Sequence, residues 1–392
     1  MPTPQSPQLP TVNTVLTETL LEGIRSRAPG YDEANAFPYE DLTALREAGY
    51  LGALTPRAEG GLGWDFSTVV AAQRTLAMHS PATALAVNMH LVWNGVASVL
   101  SQQGDDSLAF VRRESAAGEV FAFGISEPGN DAVLFDSDTV AEPLPDGSYR
   151  FTGTKIFTSL SPVWTRLGIF GKTPDGGHLV FGFLDRSAPG WAADSSSWDM
   201  LGMRATHSHT TTLNGAMVPA ERILRRTPAG PNADPLTFGV FASFLTFLAA
   251  VYTGIGDRAV ELAVQRLGRR RSKTTGQPLA QDPVLRYKTA EASLRQLTMD
   301  AQLRSVAESI DAGAELGTEW FPRLVANKTQ AVRTAKAQAD FALEASGGAS
   351  YHRQNELSRI YRDVMAGVFH PSDDESAHNT LASFMLGPVE SE

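Results

Sequence analysis

The sequence predicts an α+β multidomain protein in three parts: an N-terminal helical domain over residues 1–118, a central β-domain over 119–228, and a C-terminal four-helix bundle within 229–392. Three observations carry that reading. Helical periodicity runs from Thr11 to about Gly118. From about Glu119 to Leu224, proline, glycine, threonine and short alternating runs replace it. From Pro235 onward long helical segments return. A chain of 392 residues exceeds one ordinary core, and 42% hydrophobic residues are enough to bury several units that share interfaces.

In the first part, Phe37-Pro38-Tyr39-Glu40-Asp41 opens a helical segment that Gly49 closes. The glycine-rich loop Glu59 to Trp64 separates it from a helix over Asp65 to Met78. Ser80-Pro81 then starts an apolar core helix with one odd residue, His90. In the second part, Phe121 to Ser126 is a short strand that meets a turn signal, Glu127-Pro128-Gly129-Asn130-Asp131. The run Tyr149 to Ser159 alternates large and polar residues across Gly153, as expected of a strand pair around a tight turn, which would bring Ser126 and Ser159 close together. Asp146-Gly147 and Asp175-Gly176-Gly177 are hairpin signals. In the third part, Pro235 to Gly256 lacks charge for long enough to cross a bilayer. No flanking topology signal or second span accompanies it, so a helix buried on all sides of a bundle is expected. Helices over Pro283 to Ala312 and Trp320 to Ala345 follow, then two shorter ones after Gly348.

Charge and composition narrow the function classes. With 33 basic against 43 acidic residues, the formal net charge of -10 argues against a nucleic-acid-binding surface. The absence of cysteine excludes a disulfide framework and thiolate metal ligands and fits a cytoplasmic protein. Residues 1 to 12 read as a tail, not as a signal peptide. His207 and His209 share one strand face, but no third ligand has matching spacing, so no metal site is expected.

Four motifs stand in register: Ser126-Glu127-Pro128-Gly129, then Gly153-Thr154-Lys155-Ile156-Phe157-Thr158-Ser159, then Leu201-Gly202-Met203-Arg204, then Val218 to Leu224. Gly347-Gly348 and Tyr361-Arg362-Asp363 extend the series. In this order and spacing the chain resembles the acyl-CoA dehydrogenases over nearly its whole length. The resemblance implies FAD, or FMN for a monooxygenase of the same fold. It implies that Ser126 bonds the flavin pyrimidine edge, that Ser159 approaches the reactive nitrogen, that Phe123 and Ile125 line the ring through their backbone and that Phe157 packs on its outer face. Arg271, in the basic run Arg266 to Lys273, and Gly347-Gly348 would meet the diphosphate and adenosine side. Because that half-site completes a neighbour's pocket, a homodimer or homotetramer is implied.

The departure from the family concerns its base. An acyl-CoA dehydrogenase removes the α-proton of an acyl thioester with a glutamate, usually a few residues after the pair matched by Arg362-Asp363. Counting forward places Pro371 there, and the alternative helix, Pro235 to Gly256, has no acid, with Thr246 nearby. The proton-handling candidates are therefore Asp373, Asp374 and Glu375 after a small shift, or His370 and His90, since an unperturbed imidazole has a pKa of roughly 6.5. Asp373 to Glu375 also read as a helix N-cap. Three functions stay open: FAD-dependent oxidation of the Cα–Cβ bond of an acyl-CoA or related thioester, with an electron-transfer flavoprotein as acceptor; a flavin monooxygenase served by a flavin reductase; and an inactive flavin- or CoA-binding homologue. No nucleic-acid or membrane partner is expected.

Overall fold

The computed structural model describes residues 10–389, so most of the tail expected over residues 1 to 12 lies outside them. Six helices come first: α1 Val12–Val15, α2 Glu18–Ala34, α3 Tyr39–Glu47, α4 Phe66–Ala77, α5 Pro81–Gln102 and α6 Ala109–Ala116. Eight strands follow: β1 Phe121–Gly124, β2 Val140–Pro143, β3 Tyr149–Thr158, β4 Arg166–Lys172, β5 His178–Asp185, β6 Trp191–Asp194, β7 His209–Val218 and β8 Ile223–Pro228. The chain ends in α7 Pro235–Arg269, α8 Pro283–Asp311, α9 Trp320–Ser346, α10 Glu356–Val364 and α11 Asp374–Leu386. Local chemistry sets the helix starts. Asp65 accepts the Thr68 amide at the head of α4, and Ser80 accepts that of Thr83 at the head of α5, where Pro81 gives up no needed N–H.

The sheet runs in the order β6-β7-β3-β2-β4-β5-β8, with β1 added in parallel to β4. The run Tyr149 to Thr158 is one continuous strand, not the hairpin its glycine suggested. Gly153 is small for a packing reason. A Cβ there would lie 2.5 Å from the Thr139 hydroxyl and 2.8 Å from the Thr139 Cα, so the segment entering β2 crosses directly over it.

α7 and α9 run side by side in the same direction. Phe238 packs on Trp320 and Phe241 on Phe321, and farther along Gly256 lies against Ala335 and Gln338. α8 returns between them, with Gln338 reaching the Ala292 carbonyl and Lys288 pairing with Glu344. α4 and α5 close the other flank, where Phe66 stacks on Phe247 with ring centroids 4.4 Å apart. Contrary to the expectation of a single such stretch, both α5 and α7 are long and apolar enough to cross a bilayer, yet 94% and 83% of their most apolar stretches are buried within this protein. Their hydrophobic surface is spent on packing.

A buried ion pair joins two of the sequence motifs. Glu127, just after β1, takes the Lys155 ammonium at 2.5 Å, and neither side chain is more than 1% exposed. The Ser137 and Thr139 hydroxyls, at 2.7 and 2.6 Å, and the Asp138 amide at 2.8 Å also donate to this carboxylate. Lys155 lies over the Phe170 ring, 4.2 Å from its centroid. Burial alone pushes the Glu127 carboxyl up, but the Lys155 charge and these bonds outweigh it and hold it well below the usual carboxylate range. Because one partner alone would leave a bare buried charge, Glu127→Gln is expected to cost about 3–5 kcal/mol in urea unfolding. The double variant Glu127→Gln/Lys155→Met is expected to recover part of that loss; additive losses would show that the two groups are not coupled.

Candidate active site

The ion pair sits beneath the two segments that carry the sequence-predicted serines. Past β1, the Ser126 carbonyl accepts the Ile156 amide at 2.9 Å, which stitches the first segment to the end of β3. Ser126 is half-buried, and its hydroxyl has no partner among the described residues. β3 leaves its regular register between Lys155 and Thr158, and at this irregularity Phe157 adopts φ +55° and stands 52% exposed. A large aromatic in the left-handed region, facing solvent, is an unusual expenditure of backbone strain. Phe123 and Ile125 are buried, with Phe123 stacked on Phe244 of α7 at 5.4 Å. Ser159 is buried and bonds the Ser208 hydroxyl at 2.7 Å.

The turn that supplies Ser208 is locked to the C-terminal helices. A Cβ on Gly202 would lie 2.1 Å from the Arg362 carbonyl, so only glycine lets the turn settle on α10. The Met203 amide donates to the buried Asp363 carboxylate at 2.6 Å, and Arg362 grips Asp32 of α2 with both terminal guanidinium nitrogens. Burial pushes Asp363 up to about 6 against that amide bond. Thus the Leu201–Arg204 and Tyr361–Asp363 motifs belong to one joint. His207 donates from Nε2 to the Asn35 carbonyl at 2.9 Å, which leaves its Nδ1 to accept from His209 Nε2 at 3.1 Å. Both imidazoles are engaged in this pairing, and no group of three metal-binding side chains occurs among the described residues.

The region matched to the family's base holds no carboxylate. Lys328 of α9 is buried and gives its three N–H bonds to the carbonyls of Gly367, His370 and Ser372, at 3.2, 2.6 and 2.7 Å. This clip fixes the loop between α10 and α11. His370 sits in it with its ring 5.8 Å from that of Tyr252, and both His370 Nε2 and the Tyr252 hydroxyl are buried and unpartnered. Burial and the neighbouring Lys328 charge pull the His370 imidazole down to about 3, so it is neutral at physiological pH. Tyr252 lies in the apolar stretch of α7, where the sequence offered no signal to single it out. The acids Asp373, Asp374 and Glu375 are exposed at the start of α11. Asp373 caps that helix through the Ser376 amide and Asp374 pairs with Arg333, so the three form a helix cap and not a buried base.

His90 also has a structural post. Its Nε2 donates to the Leu51 carbonyl at 2.8 Å, and its Nδ1 accepts the Phe121 amide at 3.1 Å, bracing α5 between the N-terminal loop and β1. Neither ring nitrogen is left for a substrate. Arg271, which the family resemblance set against a cofactor diphosphate, turns back on its own loop to the Gly276 carbonyl. The arginine that meets Gly347 is Arg270, whose guanidinium lies 2.7 Å from where a Cβ on Gly347 would sit. Gly347 itself ends α9 as its C-cap.

Sequence profiles described as "Acyl-CoA dehydrogenase, N-terminal domain" and "Acyl-CoA dehydrogenase, C-terminal domain" match residues 12–108 and 246–374. The chain belongs to the acyl-CoA dehydrogenase family. It is thereby a flavoprotein oxidoreductase by class. Within the family it is 27% identical to the putative acyl-CoA dehydrogenase YdbM of Bacillus subtilis, covering 90% of this chain and 91% of that protein. It is 28% identical to the L-evernosamine nitrososynthase of a Micromonospora species, covering 93% and 88%. Among solved structures, KijD3 in complex with FMN and dTDP-3-amino-2,3,6-trideoxy-4-keto-3-methyl-D-glucose superimposes with a TM-score of 0.85 at 28% identity, covering 98% of this chain and 96% of that one.

The bracing by His90 requires an uncharged ring, because a proton on Nδ1 would face the Phe121 N–H. Burial, opposed by the Leu51 bond, holds its folded-state value at about 4 against 6.5 when unfolded. The unfolded chain therefore takes up this proton first, and the stability contributed above pH 6.5 is lost as pH falls toward 4. Between pH 7 and pH 5 the wild type is expected to lose roughly 2 kcal/mol more than His90→Gln in urea unfolding. Parallel pH profiles for the two proteins would remove His90 from this role.

Proposed function

We propose that this acyl-CoA dehydrogenase family member is a flavin monooxygenase, supplied with reduced flavin by a separate reductase and using O2, and not a dehydrogenase of acyl thioesters. The observation that carries this reading is the loop Gly367 to Ser372. In place of a carboxylate it presents a lysine-clipped backbone and the neutral, unpartnered His370. Such a site lacks a carboxylate, and an imidazole held at about 3 by burial and the Lys328 charge is too weak a base to take an α-proton from a thioester.

The residues present suit a flavin ring. The free hydroxyl of Ser126 and the buried one of Ser159 supply hydrogen bonds to its polar edge, and exposed Phe157 supplies an apolar plate. When bound, the flavin supplies the oxygen chemistry. Phe123, Phe244 and Leu160 exclude water from that side, and His370 Nε2 and the Tyr252 hydroxyl offer an acceptor and a donor to a polar substrate. Ring contacts of this kind serve FAD and FMN alike. The amino sugar in the name of the L-evernosamine nitrososynthase and the dTDP-amino sugar bound in the KijD3 complex make an amine-bearing sugar nucleotide the first class to test.

Anaerobic titration of the flavin-loaded protein with a panel of acyl-CoAs is expected to leave the oxidised flavin absorbance unchanged. NADH, a flavin reductase and oxygen are expected to support turnover of a dTDP-amino sugar. Bleaching by any thioester would restore the dehydrogenase reading, and binding without turnover in both assays would point to an inactive homologue.

The working form is a homodimer or homotetramer in this reading. α8 carries a second apolar face, Val284, Tyr287, Leu294 and Leu297, each 59–69% exposed, which a single chain leaves in water. Tyr287→Glu/Leu294→Glu is expected to shift the sedimentation coefficient toward a monomer; an unchanged value would place the contact elsewhere.

A further inference from the structure

Ser159 does not stand alone. Its hydroxyl bonds that of Ser208 at 2.7 Å, and Ser208 bonds that of Thr206 at 2.8 Å. Two backbone bonds, from Leu160 N to the Thr206 carbonyl and from Ser161 N to the His207 carbonyl, zip this turn to the residues after Ser159. The three side chains are at most 6% exposed, and Thr206 is fully buried.

The direction of this chain follows from proton accounting. Three hydroxyls carry three protons, and the two bonds between them use two. Thr206 is out of reach of solvent, and Ser208 is its one hydroxyl partner among the described residues. A buried donor left unpaired is costly, so the Thr206 proton goes to Ser208 and that of Ser208 goes to Ser159. The proton of Ser159 is then the one left over, and it leaves the chain.

We propose that Thr206 and Ser208 are positioning residues that fix Ser159 as a hydrogen-bond donor toward the flavin, so that this one contact favours the oxidised ring, whose reactive nitrogen is an acceptor. This rests on the reading that Ser159 faces the flavin. Binding the reduced ring, which offers an N–H there, would take away the acceptor of the Ser159 proton, or reverse the chain and strand a proton on Thr206. Successive donors along such a chain also strengthen the last bond.

The test measures the dissociation constants of FMN and FAD in the oxidised state and, anaerobically, in the reduced state. The ratio of reduced to oxidised constants is expected to fall about 3- to 10-fold in Ser208→Ala, a rise of roughly 15–30 mV in midpoint potential. Thr206→Val should move it the same way by less, and Thr206→Ser, which keeps the hydroxyl, should match the wild type. Ser159→Ala should move it as far as Ser208→Ala. If Ser159→Ala changes the ratio while Ser208→Ala and Thr206→Val do not, the directed chain is wrong and the flavin contact stands. If Ser159→Ala leaves both constants unchanged, or neither flavin binds, the underlying reading fails. Equal weakening in both states would show that the chain is only structural.

Discussion

The Glu127–Lys155 pair is the constraint on which the rest of the site depends. It ties the turn after β1 to the last residues of β3, and those are the segments that carry Ser126, Phe157 and Ser159. A buried pair of this kind adds little net stability beside an apolar alternative, because both ions must be stripped of water. What it adds is position. The carboxylate collects the Lys155 ammonium, two hydroxyls and the Asp138 amide, so the turn has one geometry in which all its bonds are made. The strained backbone at Phe157 is tolerated two residues beyond this anchor.

A second joint couples the three parts of the chain. Asp363 of α10 holds the turn at Met203, and Arg362 beside it holds Asp32 of α2. One short helix therefore sets the sheet insertion against both helical layers. The same turn continues into Thr206, Ser208 and the paired imidazoles of His207 and His209, so the polar surroundings of Ser159 are fixed from the C-terminal bundle.

Much of the fold was legible in the sequence because period and composition change together near residues 119 and 235, and capping residues such as Asp65, Ser80 and Asp373 mark helix starts through local bonds. Features that depend on what lies across the chain were not. Gly153 read as a turn, but its small size answers to Thr139 above it. His90 read as a candidate proton carrier, yet its partners, the Leu51 carbonyl and the Phe121 amide, come from segments far from it in sequence. In the motifs the serines drew attention, although the glutamate and lysine beside them form the buried contact that explains why the two motifs occur together. Tyr252 was hidden in an apolar helix, and Arg270, not Arg271, reaches Gly347.

The lysine clip under the His370 loop also decides what a carboxylate placed there would meet. Placing a glutamate at Pro371 would set a carboxylate beside an ammonium already committed to three carbonyls of the same loop. The new acid would be drawn into that pair, its basicity lowered by the neighbouring charge, and the carbonyls would lose the donor that shapes them. A working carboxylate base in this loop would therefore take a change on α9 as well as one in the loop itself. The ammonium that shapes this loop is thus also what sets the terms on which any acid could work there.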